Sequence, residues 1–336
     1  MFEKLNNNDI RRIAFCFFIS IVSLFIVQSY FTKVFPDASI KMDVTKEEAH
    51  IIAKNFLANN GHDIESYIHA DRFGYDRHAK NFLEFELPAD SAGQILNNTN
   101  NYYWRNRWFV PQQNEQFYVK ISTTGDLAEY DHTIDEDAPG DSLKQSNAIN
   151  IAKFFLIGTI GIELDKWELV ESNTEKLKNR WDHRLEWKEK NFNINESTHR
   201  ITIKVQGDQV DYYNEWIKVP DTWKRKYEKI RSKNALLSQI GGMGLNITLF
   251  LIFIMIFVRS RKQDIRWKTA WVYGGIAALI MLLMQINNLP IQLYGFDNKD
   301  SYSAFVMQVI LLQCVLVPIV IGLSIGAMVA GSEPLY

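Results

Sequence analysis

Two cysteines among 336 residues give no disulfide framework, and both Cys16 and Cys314 fall inside long apolar runs. The polar part of the chain must therefore be held by an ordinary hydrophobic core. A charge excess is also missing: the formal net charge of -2 gives no reason to expect nucleic acid as a partner. Hydrolytic signatures are absent as well. There is no His-Glu-x-x-His string for zinc, no Gly-x-Ser-x-Gly elbow and no phosphate-binding glycine loop with lysine. The later apolar runs carry essentially no ionisable side chain. Asn246, Gln285, Gln308 and Gln313 are among their polar residues, and such groups serve helix packing more often than proton transfer. No catalytic residue, metal ligand or cofactor site is expected in this chain.

What the chain does have is segregation, with apolar residues at its two ends and charge in the middle, 37–234. A helix needs roughly 20 apolar residues to cross the hydrocarbon of a bilayer, and four segments qualify: 13–34, 236–258, 269–286 and 304–330, the last containing Pro318. Arg11 and Arg12 ahead of the first run would also suit a signal peptide. The run is longer than such a core, however, and no small-x-small pattern follows it. Lys4, Arg11 and Arg12 before the first span place the N-terminus, 1–12, in the cytoplasm. Arg259, Arg261, Lys262, Arg266 and Lys268 place the link between spans two and three there too. Residues 35–235 then lie outside, as does the loop with Asp297, Lys299 and Asp300. With no disulfide, this suits the inner membrane of a bacterium and a periplasmic or extracellular domain. The sequons at Asn97 and Asn195 would matter only in a eukaryotic secretory pathway.

The outer region contains an internal repeat. Ala49, Ile52, Ala53, Lys54, Phe56 and Leu57 recur as Ala148, Ile151, Ala152, Lys153, Phe155 and Leu156, with helical apolar spacing. Capping-box patterns precede both, Thr45 with Glu48 and Ser142 with Gln145. Further on, Gly125, Asp126, Ala128, Glu129 and Tyr130 match Gly207, Asp208, Val210, Asp211 and Tyr212, each after a β-rich run that predicts a hairpin. Strands are also predicted at 167–171 and 183–189. The expected architecture is an α+β outer domain of two helix-plus-antiparallel-sheet repeats, 35–140 and 141–220, joined to a helical membrane bundle of four spans. Such helix-then-meander units resemble the PepSY-like domains of bacterial exported and membrane proteins, which are often attached to or act on peptidases. The first repeat departs from that pattern through an insertion at 88–107. An exposed cluster of Tyr102, Tyr103, Trp104, Arg105 and Trp108 would form a contact surface, since aromatics and arginine dominate interface hot spots. The plainer reading is that these residues close the sheet or the core.

A basic run, Lys224, Arg225, Lys226, Lys229, Arg231 and Lys233, with Trp223 and Tyr227 beside it, suggests a juxtamembrane helix at 221–235 resting on lipid headgroups; the alternative is a solvated linker. If that helix continued into span two, domain and membrane would be rigidly coupled. Gly241, Gly242 and Gly244 are expected to permit close helix contact. His62, His69, Asp71 and His78 form a loose group better read as surface histidines than as a metal site, and Trp267 and Trp271 suit an interfacial belt. The final residues, Gly331, Ser332, Glu333, Pro334, Leu335 and Tyr336, resemble the Gly-Glu-Pro-Leu-Tyr segment of long bacterial CPBP-family (CAAX-type) intramembrane endopeptidases. The family's catalytic Glu-Glu-x-x-x-Arg is not present: the sole Glu-Glu pair is Glu47 and Glu48, and Ile52 stands where arginine is required. The resemblance implies a non-catalytic regulatory and anchoring part of such a protease, truncated or encoded separately. Its partners would be the bilayer, a peptide or membrane-protein substrate and a C-terminal catalytic bundle. A permease subunit of MacB-like or FtsX-like topology, or a stand-alone sensor, are the alternatives.

Overall fold

The structure is a computed structural model describing residues 6–35, 37, 40–260 and 267–332. Helix α1 (Asn7–Val34) starts at Asn6, whose side chain accepts from the backbone of Asn8 and Asp9 while the Asp9 carboxylate accepts from the Asn6 amide. Helix α2 (Lys46–Asn59) begins with the predicted capping box: Glu48 Oε2 accepts from the Thr45 amide at 2.8 Å and Thr45 Oγ1 from the Glu48 amide at 3.3 Å. The chain then forms β1 (Ile68–Tyr75), α3 (Arg77–Glu86), α4 (Ala89–Asn98), β2 (Tyr102–Phe109), β3 (Gln116–Ser122) and β4 (Leu127–Thr133). A second run follows the same order without the extra helices: α5 (Gln145–Phe155), β5 (Trp167–Lys176), β6 (Trp181–Glu189), β7 (Thr198–Gln206) and β8 (Gln209–Lys218). The second predicted capping box does not form. Lys144 occupies the N-cap of α5, and the Gln145 amide instead donates to the Ser172 carbonyl.

All eight strands join one antiparallel sheet in the order β1-β2-β3-β4-β8-β7-β6-β5. The order is palindromic about the β4·β8 pair, where Glu129 faces Asn214, Tyr130 faces Tyr213 and Asp131 faces Tyr212. Each half carries a bulge just after its hairpin, at Ala128 and at Asp211, so Tyr130 corresponds to Tyr213. The sequence match of Tyr130 with Tyr212 is one residue out of register, because the stretch from the turn glycine to the bulge is one residue longer in the second hairpin, Gly207 to Asp211, than in the first, Gly125 to Ala128. Helices α2 and α5 cover one face. Ala49, Ala53 and Leu57 from the first, and Ala148 and Ala152 with the adjoining Leu156 from the second, are fully buried against Val119, Ile121, Leu185, Ile201 and Ile203. Alanines at i and i+4 let the helix approach the sheet, and each buried Leu or Ile contributes roughly 1.5–3 kcal/mol.

The expected insertion at 88–107 holds α4 and most of β2; β2 belongs to the repeat itself, and what the first repeat adds is α3, which precedes that stretch, and α4. Asp76 caps α3 by accepting from the amides of His78 and Ala79. Ala79, Phe82 and Leu83 of α3, with Ala92 and Leu96 of α4, make a second core against Ile217, Val219 and Trp223.

Four helices are long and apolar enough to cross a membrane: Asn7–Phe31, Asp221–Val258, Trp267–Leu293 and Tyr302–Gly331. The second lies in α6 (Asp221–Ser260), one unbroken helix of 40 residues. The third is α7 (Trp267–Leu293), which runs past the predicted end at 286 and contains Pro290. The fourth comprises α8 (Tyr302–Val309), a π-helical stretch Ile310–Leu316 and α9 (Val317–Ser332). The π turn ends two residues before Pro318, which lacks the N–H that a regular helix would use there. The expected basic link at Arg261, Lys262 and Arg266, the Arg259 side chain, Lys4, and Glu333 to Tyr336 lie outside the described residues.

Candidate functional site: the seam between sheet and spans

Strand β2 pairs with β1 on one side and β3 on the other, so its residues alternate between the helix-covered face and the open face. Tyr102, Tyr103 and Trp108 are buried, and Trp104 and Arg105 partly so. The five therefore do not form an exposed contact cluster, because β2 is an interior strand with no free edge and none of the five is exposed. Trp108 packs against His50 and His69, and the Trp104 indole donates to the Val44 carbonyl. Tyr102 OH donates to Asp37, while Arg105 and Lys120 lie against the Tyr103 ring on the open face.

Toward the candidate spans β2 presents Phe109, which meets Phe296 and Tyr302, and Arg107, which bonds to the loop between the third and fourth of them and which sequence reasoning did not single out. Arg107 is only 4% exposed. Its Nε and Nη2 donate to Gln116 Oε1 at 3.2 and 2.8 Å. The remaining N–H groups go to residues 294–298, which follow α7: to the Tyr294 carbonyl at 3.0 Å, the Phe296 carbonyl, and Asn298 Oδ1 at 3.0 Å. All five donors are used, and every acceptor is neutral. What offsets burial of the charge is the partial negative charge collected beyond the C-terminal end of α7, together with the Phe109 and Tyr118 rings at 4.5 and 5.4 Å. Phe296 completes the contact against Phe109 at 5.3 Å, and the Asn298 amide donates to the Gln113 carbonyl. Beside this latch lies an open cleft of about 910 Å³, walled by Gln116, Tyr118 and Thr133 of the sheet and by Tyr294, Phe296 and Asn298 of the loop.

The second connection is α6. Strand β8 leads through Val219 and Pro220 straight into it, and Trp223 stacks on Tyr227 at 4.8 Å and meets Phe82 edge-on at 5.3 Å. Trp223, Tyr227 and Ile230 share one side of the helix, while Arg225, Lys226, Lys229, Arg231 and Lys233 are exposed and Lys224 makes a loose pair with Asp221. The helix continues without a break into the apolar segment, so along its axis Lys233 and Arg231 lie within about 8 Å of Leu236, and Lys224 about 18 Å from it, at 1.5 Å per residue.

Among the spans, α7 and α9 pack most closely. A Cβ added at Gly274 would lie 2.6 Å from the Gly322 carbonyl oxygen, and one at Gly322 would lie 2.8 Å from Ala278 Cβ. Gly241, Gly242 and Gly244 have nothing within 4 Å of such a Cβ, so the expected glycine contact forms elsewhere. The small-residue spacing Gly322-x-x-x-Gly326, facing Ala270 and Gly274, was the signal that could have located it.

Histidines of the sheet domain sit in charged or paired settings. His199 is only 5% exposed: its Nδ1 is 2.8 Å from Glu189, and its Nε2 is 2.9 Å from Glu215 without pointing along the line to that oxygen. Burial opposes its charge, but the two carboxylates outweigh that and raise its pKa to about 9. A raised histidine stabilises fully below its unfolded value of about 6.5 and loses that contribution as pH climbs through the folded one. Thermal unfolding should therefore show stability falling between about pH 6.5 and 9, and His199→Gln should remove that slope. On the open face, burial and the neighbouring Glu129 push Asp131 up to about 6. His78 is exposed on α3, His69 contacts His50, His62 contacts His132, and Asp71 pairs with Lys46. Among the described residues no three His, Cys, Asp or Glu side chains converge to hold a metal. No family model, curated protein or solved structure matches the chain.

Proposed function

We propose that this chain is a membrane-anchored sensing module, whose sheet domain of two PepSY-like repeats reads a condition outside a bacterial inner membrane and sets the arrangement of its spans. The observation that carries the reading is Arg107: a buried side chain of the sheet holds the loop between two candidate spans, next to a cleft walled by both. A domain tethered only by flexible linkers would have no means of passing on its state. Here the sheet meets the spans through that latch and through α6. Since the loop at 294–301 bonds to the sheet, both belong on one side of the bilayer, in keeping with an outer domain and a cytoplasmic N-terminus.

The effector is a CPBP-like intramembrane protease, whose catalytic bundle is supplied by further sequence or by a separate chain. This rests on the resemblance at 331–336 and on the lack of catalytic groups in these spans. The only Glu-Glu pair is engaged otherwise, with Glu48 closing the cap of α2. The test is cleavage of a membrane peptide by this chain alone and by this chain with a catalytic bundle carrying Glu-Glu-x-x-x-Arg. Cleavage only in the second case, lost when that glutamate pair is changed to glutamine and altered by Arg107→Met, is the expected result. Cleavage unaffected by Arg107→Met would remove the sensing role, and none in either case would remove the protease.

A further inference from the structure

We propose that α2 is an acid-released element, seated on the sheet at neutral pH by two imidazole pairs, His50 with His69 and His62 with His132, and freed when the medium turns acidic. Four of the chain's seven histidines make these pairs, one within the helix and one just past its end.

At the first pair, His50 Nδ1 lies 3.1 Å from His69 Nε2, and that same nitrogen lies 3.0 Å from Asn106 Oδ1. A nitrogen pair at this distance can share one proton. With both rings charged, two N–H groups would point at each other, and the contact must open. Trp108 closes the site beneath both rings. Asp71 on β1 is the nearby anion, but it is bonded to Lys46 at 2.8 Å, and Lys46 and Lys54 on α2 add positive charge.

At the second pair, His132 on β4 is held between Asp211 of β8 and Glu115 of the β2–β3 connection, both at 2.9 Å, and Tyr67 OH donates to Glu115. The His62 ring meets that of His132 with centroids 4.8 Å apart, and His62 Nε2 is 2.8 Å from Tyr130 OH. Two carboxylates favour the charged form of His132, so a proton on His62 would be set against a ring that readily carries one itself.

Electrostatics agree with the geometry. Burial first, then the neighbouring histidine or lysines, lower the pKa of His50, His62 and His69, despite Asp71, Asp211, Glu115 and Asn106 acting the other way. For His132 the same burial is outweighed by Asp211 and Glu115, and its pKa is raised. A histidine lowered in the folded state takes up its proton more readily when released. Stability of the seat therefore falls as pH drops below about 6.5, the unfolded value, for three of the four rings.

Residues 35–45 join α2 directly to α1, which touches α4. Release of α2 would loosen the outer tether of that span; this consequence rests on the sensing role proposed above, whereas the seat itself does not.

The experiment is hydrogen exchange of the full chain in lipid nanodiscs at pH 7.5 and 5.0, with times scaled to equal intrinsic exchange. Amides of Lys46–Asn59 should lose protection at the lower pH, readable as an at least severalfold faster exchange, while β6 to β8 keep theirs. The His50→Gln, His62→Gln variant should hold α2 equally at both values. Equal protection of α2 in the wild type at both pH values overturns the proposal whatever the variant does. Spin labels on Cys16 and Cys314 report the tether separately: release of α2 with an unchanged label distance would overturn only the link to the spans.

Discussion

Arg107→Met should free residues 294–298 from the sheet and lower the stability of the assembled protein by roughly 3–5 kcal/mol, as when other buried charged networks lose one member. The side chain volume is nearly kept, so the loss isolates the five hydrogen bonds. The Tyr294 and Phe296 carbonyls and Asn298 Oδ1 would lose the Arg107 donor, and Gln116 Oε1 would keep the Tyr118 hydroxyl. Arg107→Lys should fall between the two, because an ammonium keeps the charge but cannot span acceptors on both sides of the seam. Exchange of the 294–301 amides, together with thermal unfolding, reads the effect. Unchanged exchange in the methionine variant would mean that the aromatic contacts of Phe296 and Tyr294 hold the loop unaided.

Gly322→Val should separate α7 from α9. The added Cβ would lie 2.8 Å from both Ala278 Cβ and the Gly274 carbonyl oxygen, and these belong to a helix core and its backbone, which cannot swing aside. Overpacking of this kind destabilises by roughly 1–3 kcal/mol or more. The change should appear as a longer distance between labels on the two helices and a lower unfolding temperature. Gly241→Val, in the open stretch of α6, is the matched control and should change neither. An equal response from both variants would show that lipid-facing bulk, and not the α7·α9 contact, sets stability.

Local features of this fold are written plainly in the chain. Apolar length marks the four candidate spans, and Ala49, Ala53 and Leu57 with their counterparts at 148, 152 and 156 mark the two helices on the sheet. The hairpins are equally readable from Gly125 and Gly207, both of which have positive φ. What local pattern cannot carry is the merging of two meanders into one sheet, since three residue pairs across β4·β8 decide it. Helices α3 and α4 did leave a trace, in Asp76 followed by Ala79, Phe82 and Leu83 at helical spacing, but the aromatic strand after them drew attention away. Arg107 left none: an arginine among Tyr, Trp and Asn looks like a surface residue until the acceptors at Tyr294 and Phe296, far along the chain, fold over it.

The two attachments of the sheet fall on different strands, the latch on β2 and the helix α6 on β8, with β3 and β4 between them. Three strand spacings set them about 14 Å apart. Sheets resist stretching along their hydrogen bonds but twist readily about the line that joins the strands, and a change in twist of about 10° would shift a point four residues, about 14 Å, along one strand by about 2.5 Å against the other. That is on the scale of helix movements at switching interfaces. A ligand or a released helix need not touch the spans to move them; altering the torsion of the sheet between its two anchor points is enough.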